Sequence, residues 1–329
     1  MKIIGIGNAL VDIMTPLPSD ALLHEFKLPK GSMTLVEEAL SNTLREATLH
    51  IESTLTAGGS ACNTISGLAH LGTSSAFIGA VADDAYGDFY KKALEGNGVI
   101  PLLFDSKRIT GRAVALVSPD SERTFATHLG AAIDIPLEKI TPAIFNGYDI
   151  LHIEGYLVYN HDLITKAIQS AKDAGLLVSI DLASFNVVND NLAFLKEIVS
   201  SYVDICFANE EEALSFTGKE PYEALDQIAE NCSWAIVKMG KKGSCIKHHG
   251  EVTRIAPIPA EPLDTTGAGD LYAAGFLHGL ANGWEMKRCG ETGALLAGKV
   301  IEIYGARIPE STWATIRSLI GKEGILPRS

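Results

Sequence analysis

Tyr148-Asp149-Ile150-Leu151-His152-Ile153 is a short, mostly apolar run, Asp162 to Ala174 carries apolar residues at helical spacing and stops at Gly175, and Leu176-Leu177-Val178-Ser179-Ile180-Asp181-Leu182 is apolar again. Two apolar runs of strand length on either side of an amphipathic helix read as a parallel strand-helix-strand unit, whose strands are buried on both faces. The alternation continues: Leu192 to Ser200 reads as a helix, Val203 to Ala208 as a strand, Glu210 to Thr217 as a helix closed by Gly218, and Trp234 to Met239 as a strand. The expected fold is therefore α/β, three layers deep, with a central, mostly parallel sheet between two layers of helices. Ligands of such sheets bind beyond the carboxyl ends of the strands.

Towards the N-terminus the pattern changes. Val11 to Leu17, Ser32 to Val36, Gly111 to Val117 and Arg123 to Thr127 read as short strands lying in two separate regions of sequence. They cannot all extend the parallel sheet. No repeat, low-complexity tract or linker divides the chain, so residues 1–329 are expected to form a single domain.

Composition narrows the function classes. At 47% hydrophobic and 20% charged residues, the 329-residue chain is ordinary globular material. A net charge of −13 argues against nucleic acid or an anionic membrane as the main partner, since both call for a basic surface. Cys62, Cys206, Cys232, Cys245 and Cys289 form no Cys-x-x-Cys pair, as expected of reduced thiols in a cytoplasmic protein. The start, Met1 to Asn8, is a poor signal peptide, and no apolar run approaches the ~18 residues that read as a membrane span.

Chemistry is concentrated in Asp264-Thr265-Thr266-Gly267-Ala268-Gly269-Asp270, which leads straight into the helix-like run Leu271 to Leu277. Small glycines where a helix begins expose consecutive N–H groups and favour an anion such as a phosphate. An aspartate there would repel that anion unless it takes a proton from whatever attacks the phosphorus, as phosphoryl transfer to an alcohol requires. Two other glycine-rich stretches are decoys. Gly5-Ile6-Gly7-Asn8-Ala9-Leu10 has leucine where a dinucleotide fingerprint needs its third glycine. Gly293 to Val300 puts valine where a P-loop needs a metal-binding hydroxyl, and reads better as part of a helix from Thr292 to Ile303. Asn8 and Asp12 follow the first strand, where they either grip vicinal hydroxyls or form a solvated turn. Asn63 offers a donor and an acceptor, or caps a helix. Asn209 and Glu212 share one helix face after a buried strand. His248-His249 reads as an exposed hairpin tip.

The string at 264–270 resembles the C-terminal signature of the ribokinase-like (PfkB) family of sugar and nucleoside kinases. Gly58-Gly59-Ser60-Ala61-Cys62-Asn63-Thr64 is similar to the family's N-terminal di-glycine motif, Gly79 to Gly87 to the block after it, and Asn209-Glu210-Glu211-Glu212 to its Asn-x-x-Glu element, in matching order over roughly residues 3–305. The resemblance implies a small β-sheet lid, built from segments within about 11–57 and 101–130, that shields the site from water. It implies an ATP- and Mg²⁺-dependent phosphotransferase acting on a primary hydroxyl of a sugar or ribonucleoside. Asp270 would be the base, and the N–H groups of Gly267, Ala268 and Gly269 the anion hole. Asn8, Asp12, Gly58, Gly59 and Asn63 would hold the acceptor. Asn209, Lys238, Gly240 and Gly243 would face the nucleotide, and Asn209 with Glu212 would organise Mg²⁺. Gly7-Asn8-Ala9-Leu10-Val11-Asp12 is closer to the start seen in adenosine kinases than to the ribokinase form, leaving adenosine and a free pentose or hexose both open as acceptor. A non-catalytic sugar- or nucleotide-sensing protein is the reading from a different class. A homodimer through the lid is compatible with the resemblance.

Overall fold

The structure, a computed structural model, describes residues 1–120 and 122–321. Its fourteen described strands are β1 (Ile3–Ile6), β2 (Leu10–Pro16), β3 (Met33–Leu35), β4 (Thr54–Gly58), β5 (Ser75–Ala82), β6 (Ile100–Ser106), β7 (Gly111–Val117), β8 (Arg123–His128), β9 (Ile150–Glu154), β10 (Leu177–Asp181), β11 (Ile205–Asn209), β12 (Trp234–Lys238), β13 (Ser244–His248) and β14 (Glu251–Ile255). Nine form one sheet in the order β14-β13-β12-β11-β10-β9-β1-β5-β6, and five form another in the order β3-β8-β7-β2-β4. In the large sheet the seven strands from β12 to β6 run parallel. The last two return antiparallel, as a hairpin turning at His249-Gly250.

Strand alternation sends successive side chains to opposite cores. Ile4, Ile6, Ile78, Leu151, Ile153, Val178 and Ile180 pack with the helices His161–Asp173, Leu192–Ser201, Glu210–Thr217 and Pro221–Ala229. Ile3, Phe77, Phe207 and Ile236 face the helices Ser60–His70, Ala268–Ala281 and Met286–Val300. Both decoy motifs have packing roles. A Cβ on Gly5 would meet Ile65 at 2.5 Å, so glycine there brings the Ser60–His70 helix down onto β1. Gly293 lies within the helix Met286–Val300, and Gly275 and Gly293 let that helix touch Ala268–Ala281 backbone to backbone. The helix starts six residues before the expected Thr292 and ends at Val300; Gly290 lies against Ile246 and Ile255, Gly293 against Tyr272 and Gly298 against Ile258.

The order β9-β1-β5 makes a topological switch point. From β1 the chain first builds outward through β5 and β6, then crosses to β9 and builds the other way. A crevice therefore opens beyond the carboxyl ends of β1 and β9, where ligands of open α/β sheets lie. The small sheet stands beside it. Val11, Ile13, Val114, Leu116 and Ala126 on its far face are buried in one core with Leu44 of the helix Glu38–Thr48. Its other face carries the row Asp12, Ala113, Thr127, Leu35 and the row Met14, Ala115, Phe125, Met33. Residues Ile100–Ser106 belong to the edge of the large sheet.

Candidate active site

Apart from Asp12, which lies within β2, the polar side chains of the crevice come from strand ends or from the first turns of helices. Asp270 occupies the first turn of Ala268–Ala281, whose N-cap, Gly267, adopts the left-handed conformation (φ 76°). A Cβ on Gly267 would also meet Ala306 at 2.6 Å, so no other residue fits without displacing that loop. The Asp270 carboxylate accepts from Ser60 Oγ at 2.6 Å and from Asn63 Nδ2 at 2.9 Å, while Thr64 Oγ1 donates to its backbone carbonyl. Ser60, Asn63 and Thr64 share one face of the Ser60–His70 helix, so the di-glycine motif delivers three donors to one residue some two hundred positions later. Withdrawal from solvent pushes the Asp270 carboxyl up to about 6, although Ser60 and Asn63 pull it down.

Asp12, in the middle of β2, lies over Gly58 of the paired strand β4. A Cβ on Gly58 would fall 2.3–2.4 Å from the carboxylate atoms of Asp12. Gly59 (φ 99°) brings its backbone against Asn8, whose carbonyl oxygen would lie 2.2 Å from an added Cβ. Burial raises Asp12 to about 7, with Arg307 and Arg123 lowering it and Asp270 raising it. Asn8 is 5% exposed and donates from Nδ2 to Glu154 Oε1 at 2.7 Å. Ala61 N–H donates to the other Glu154 oxygen at 3.0 Å. Glu154 stands at the end of β9 directly across the switch point, 2% exposed and raised by burial to about 7.

On the other side, Asn209 and Glu212 form a reciprocal helix cap. Glu212 N–H donates to Asn209 Oδ1 at 2.8 Å, while Asn209 N–H and Nδ2 donate to the two Glu212 oxygens at 2.8 and 2.6 Å. Burial, then the charge of Asp181, raises Glu212 to about 7. Lys238 Nζ donates to Asp181 Oδ2 at 2.7 Å, with both side chains largely buried. Gly240 and Gly243, both at positive φ, shape the tight loop joining β12 to β13, and a Cβ on Gly243 would lie 2.0 Å from the Ile255 carbonyl oxygen. That loop is not brought into the cluster around Asp270. Glu210 pairs with the exposed Lys242.

Asp264, the second acid of the signature, accepts from Thr266 N–H and Oγ1 and from Gly305 N–H, and ion-pairs with Arg123 of β8. It thus ties the loop before the helix to the small sheet. Three residues of the site had no sequence signal of their own. Glu154 and Asp181 sit at the ends of buried strands, Asp181 reading as part of its strand and Glu154 standing one residue past the run Tyr148 to Ile153, and Ser60 stood inside a motif valued for its glycines. A rule that searches acidic residues at the carboxyl ends of parallel strands would find the first two.

Among the described residues no group of three or more His, Cys, Asp or Glu forms a metal cage. Mg²⁺ needs no such cage, because it keeps several waters and takes the rest of its shell from one or two carboxylates and substrate phosphates. The charges of Asp181, Glu212 and Asp270 all act on the Lys238 ammonium, and the Asn209 and Glu212 side chains carry the amide and carboxylate oxygens that a water-held Mg²⁺ accepts. His248 stacks on Trp234 at 3.5 Å and its Nδ1–H donates to the Ser233 carbonyl, while His249 is exposed at the turn.

The sequence profile of the pfkB family carbohydrate kinases matches residues 33–313. The chain is 28% identical over 288 residues to a 5-dehydro-2-deoxygluconokinase of Clostridium perfringens, covering 81% of this chain and 84% of that one. Among solved structures it is similar to a probable sugar kinase from Rhizobium etli, at 31% identity and a TM-score of 0.84, with 96% and 98% of the two chains covered. It is also similar to the adenosine kinase of Sinorhizobium meliloti, at 33% identity and a TM-score of 0.84, with 95% and 97% covered. The chain belongs to the pfkB family of carbohydrate kinases.

Proposed function

We propose that this pfkB-family chain transfers the γ-phosphoryl group of ATP to a primary hydroxyl, and that the acceptor is a ribonucleoside. The observation that carries the transfer is Asp270: a carboxylate held by Ser60 and Asn63 at the mouth of a helix, beside Gly267, Ala268 and Gly269. In the step, the acceptor oxygen forms a bond to the γ-phosphorus, the bridging P–O bond to the β-phosphate breaks, and its electron pair leaves with ADP. The hydroxyl proton goes to an Asp270 oxygen. A carboxyl raised to about 6 is ionised at neutral pH and yet more basic than an ordinary aspartate, as a general base should be. Ala268 N–H donates to the Thr265 carbonyl at 3.2 Å, so the N–H groups of Gly267 and Gly269 carry most of the anion hole, with the helix dipole behind them.

Asp12, lying over Gly58, is the group that accepts sugar hydroxyls, with Gly59 fixing the backbone beneath it; Asn8 and Asn63 act by holding Glu154 and Asp270. Lys238 faces the donor phosphates, and Gly240 and Gly243 shape the loop on the nucleotide side. Mg²⁺, bound through water to Asn209 and Glu212, would neutralise charge on the phosphates. The small sheet serves as the lid that excludes water. A nucleoside is favoured over a free sugar because Met14 and Phe125 continue the face that bears Asp12, giving a planar base an apolar surface next to the hydroxyl grip. The edge strand β3, with Met33 and Leu35 exposed, is where a homodimer through the lid would form. Five free thiols, four of them buried, suit the cytoplasm, and no described helix is long and apolar enough to cross a membrane.

An ATP-consumption screen over adenosine, other nucleosides, ribose, fructose and their monophosphates tests this reading. Turnover with a nucleoside and little with ribose or fructose is expected. Preference for a free sugar overturns the acceptor assignment, and absence of turnover on the whole panel overturns the kinase in favour of a sensing protein.

A further inference from the structure

Lys238 and Asp181 stand at neighbouring strand ends, one strand apart across β11, and face each other over the mouth of the Ala268–Ala281 helix. Among the described residues, Asp181 is the one hydrogen-bond partner of the Lys238 ammonium; an ammonium has three protons to give. The Asp181 side chain is fixed in turn, since its Oδ1 accepts from Ala183 N–H at 3.1 Å, and Ala183 is held at a positive φ of 66° to make that turn. A strained turn that clamps one carboxylate oxygen so that the other meets a buried lysine needs a reason beyond packing.

The position of the ammonium supplies one. Nζ lies 3.0 Å from the point a Cβ on Gly269 would occupy, and Asp181 Oδ2 lies 4.0 Å from it. The charge is therefore seated against the same backbone whose N–H groups open the helix, one residue before Asp270. An anion held between the helix mouth and Asp270 would lie near Lys238, whose charge already acts on Asp270. Buried ion pairs are poor devices for stability alone, because desolvation consumes most of what their attraction returns. A lysine paired once and buried beside an anion site is instead ready to share its charge with a ligand, and its partner keeps it in place until then.

We propose that Lys238 is a catalytic residue that contacts the phosphoryl group in transfer, and that Asp181 is the positioning residue that holds it against Gly269. The inference rests on the kinase reading above and adds to it that the lysine serves the γ-phosphate and not the rest of the nucleotide. Burial alone would lower the Lys238 ammonium, but the carboxylates of Asp181, Glu212 and Asp270 outweigh it and keep the charge on. In this arrangement Gly269 has two duties: it exposes its N–H, and it leaves room for Nζ.

The test compares calorimetric binding of ADP and of a non-hydrolysable ATP analogue to wild type, to Lys238→Met, and to the Asp181→Asn, Lys238→Met pair, which leaves no unpaired buried charge. A lost charge-assisted contact to the γ-phosphate should weaken the analogue by about 10- to 100-fold in both variants, with ADP changed by less than about threefold. Turnover should fall by about 100-fold or more in both, since the contact strengthens as charge develops. Asp181→Asn alone should cost about tenfold in turnover, and the pair should be no worse than Lys238→Met. Equal weakening of ADP and analogue, or no weakening of either, would overturn the assignment. Wild type that binds neither nucleotide overturns the kinase reading with it, whereas normal wild-type binding with an unaffected variant overturns this inference alone.

Discussion

The two halves of the crevice are built differently. On the side proposed for the acceptor, carboxylates are held by neutral donors from distant sequence: Asn8 bonds Glu154 across 146 positions, and Ser60 and Asn63 bond Asp270 across 210 and 207. Among the described residues no lysine or arginine bonds these carboxylates, although the charges of Arg307 and Arg123 act on Asp12, and burial raises Asp12, Glu154 and Asp270 towards neutrality. On the side proposed for the phosphoryl donor the bonds are short-range or between near strands: Asn209 with Glu212 three residues on, Lys238 with Asp181. There a full positive charge is present. The difference matches two tasks. A carboxylate that must take a proton works best when its pKa is near the working pH, whereas a site for a polyanion works best when a cation and hard oxygens are already in place.

Replacing the base should break the contrast most severely. Asp270→Asn keeps the shape and the contacts to Ser60 and Asn63 but cannot accept the proton, so kcat should fall by about three orders of magnitude while ATP binding persists. Steady-state kinetics with a calorimetric ATP titration would show it. Near-normal turnover would remove Asp270 from the base role and leave it a first-turn acid that complements the helix dipole.

Asp12→Ala should have the next largest effect and should be confined to one half. Loss of a charged acceptor from a desolvated site is expected to cost about 2 to 3 kcal/mol in kcat/KM for the acceptor, with little change for ATP. A deoxy analogue lacking the gripped hydroxyls should be a poor substrate of wild type and lose little more in the variant. Equal losses for both acceptors would mean that Asp12 supports the sheet and Gly58 rather than reading the sugar.

The raised carboxylates also predict how the halves respond to pH. Glu154 moves from an ordinary 4.5 to about 7, so between those values the folded state binds a proton that the unfolded state has released. Stability therefore falls as pH rises through this window, and it is greatest at the acid end. Activity runs the opposite way, rising through about pH 6 as Asp270 ionises. Glu154→Gln should flatten part of the stability slope between pH 5 and 8, by about 1 to 2 kcal/mol, read as thermal midpoints in parallel buffers. An unchanged slope would show that Glu154 ionises normally and that Asn8 and Ala61 compensate its burial in full.

What the sequence made legible follows from the same physics. The four strands β9 to β12 came within a few residues because runs buried on both faces leave a strong pattern, and Glu210–Thr217 with Gly218 was read to the residue, whereas the helices Phe185–Asp190 and Pro221–Ala229 between them were not read. The small sheet was legible at β2, β3, β7 and β8 but not at β4, whose Thr54-Leu55-Thr56 lacks an apolar run and becomes a strand only because Asp12 and its neighbours pair with it. Asp264 was visible as an acid, yet its ties to Arg123 and Gly305 are tertiary and leave no trace in local order. Asn63 was read as a contact for the acceptor, and the bond from its Nδ2 to Asp270 was not read. Sequence spacing brought these residues to attention; which one holds which depended on the switch point.

The smallest effect is expected at Glu212, and it is the one that decides how far the donor half is functional rather than structural. Its two oxygens are already bonded to Asn209, so the pair is at minimum a helix cap, and Glu212→Gln should cost about 0.5 to 1 kcal/mol of stability for that reason alone. The residue is also 2% exposed and raised to about 7 by burial and by Asp181, a cost that a cap by itself does not explain, since a glutamine there would avoid it. A nearby divalent cation held through water would offset that cost, favour the ionised form and make the carboxylate worth keeping. Glu212→Gln should therefore raise the Mg²⁺ concentration needed for half-maximal turnover severalfold, with kcat at saturating Mg²⁺ largely restored. If stability drops and the Mg²⁺ dependence does not move, Asn209 and Glu212 are a cap only, and Asp181 becomes the carboxylate to test on the metal side.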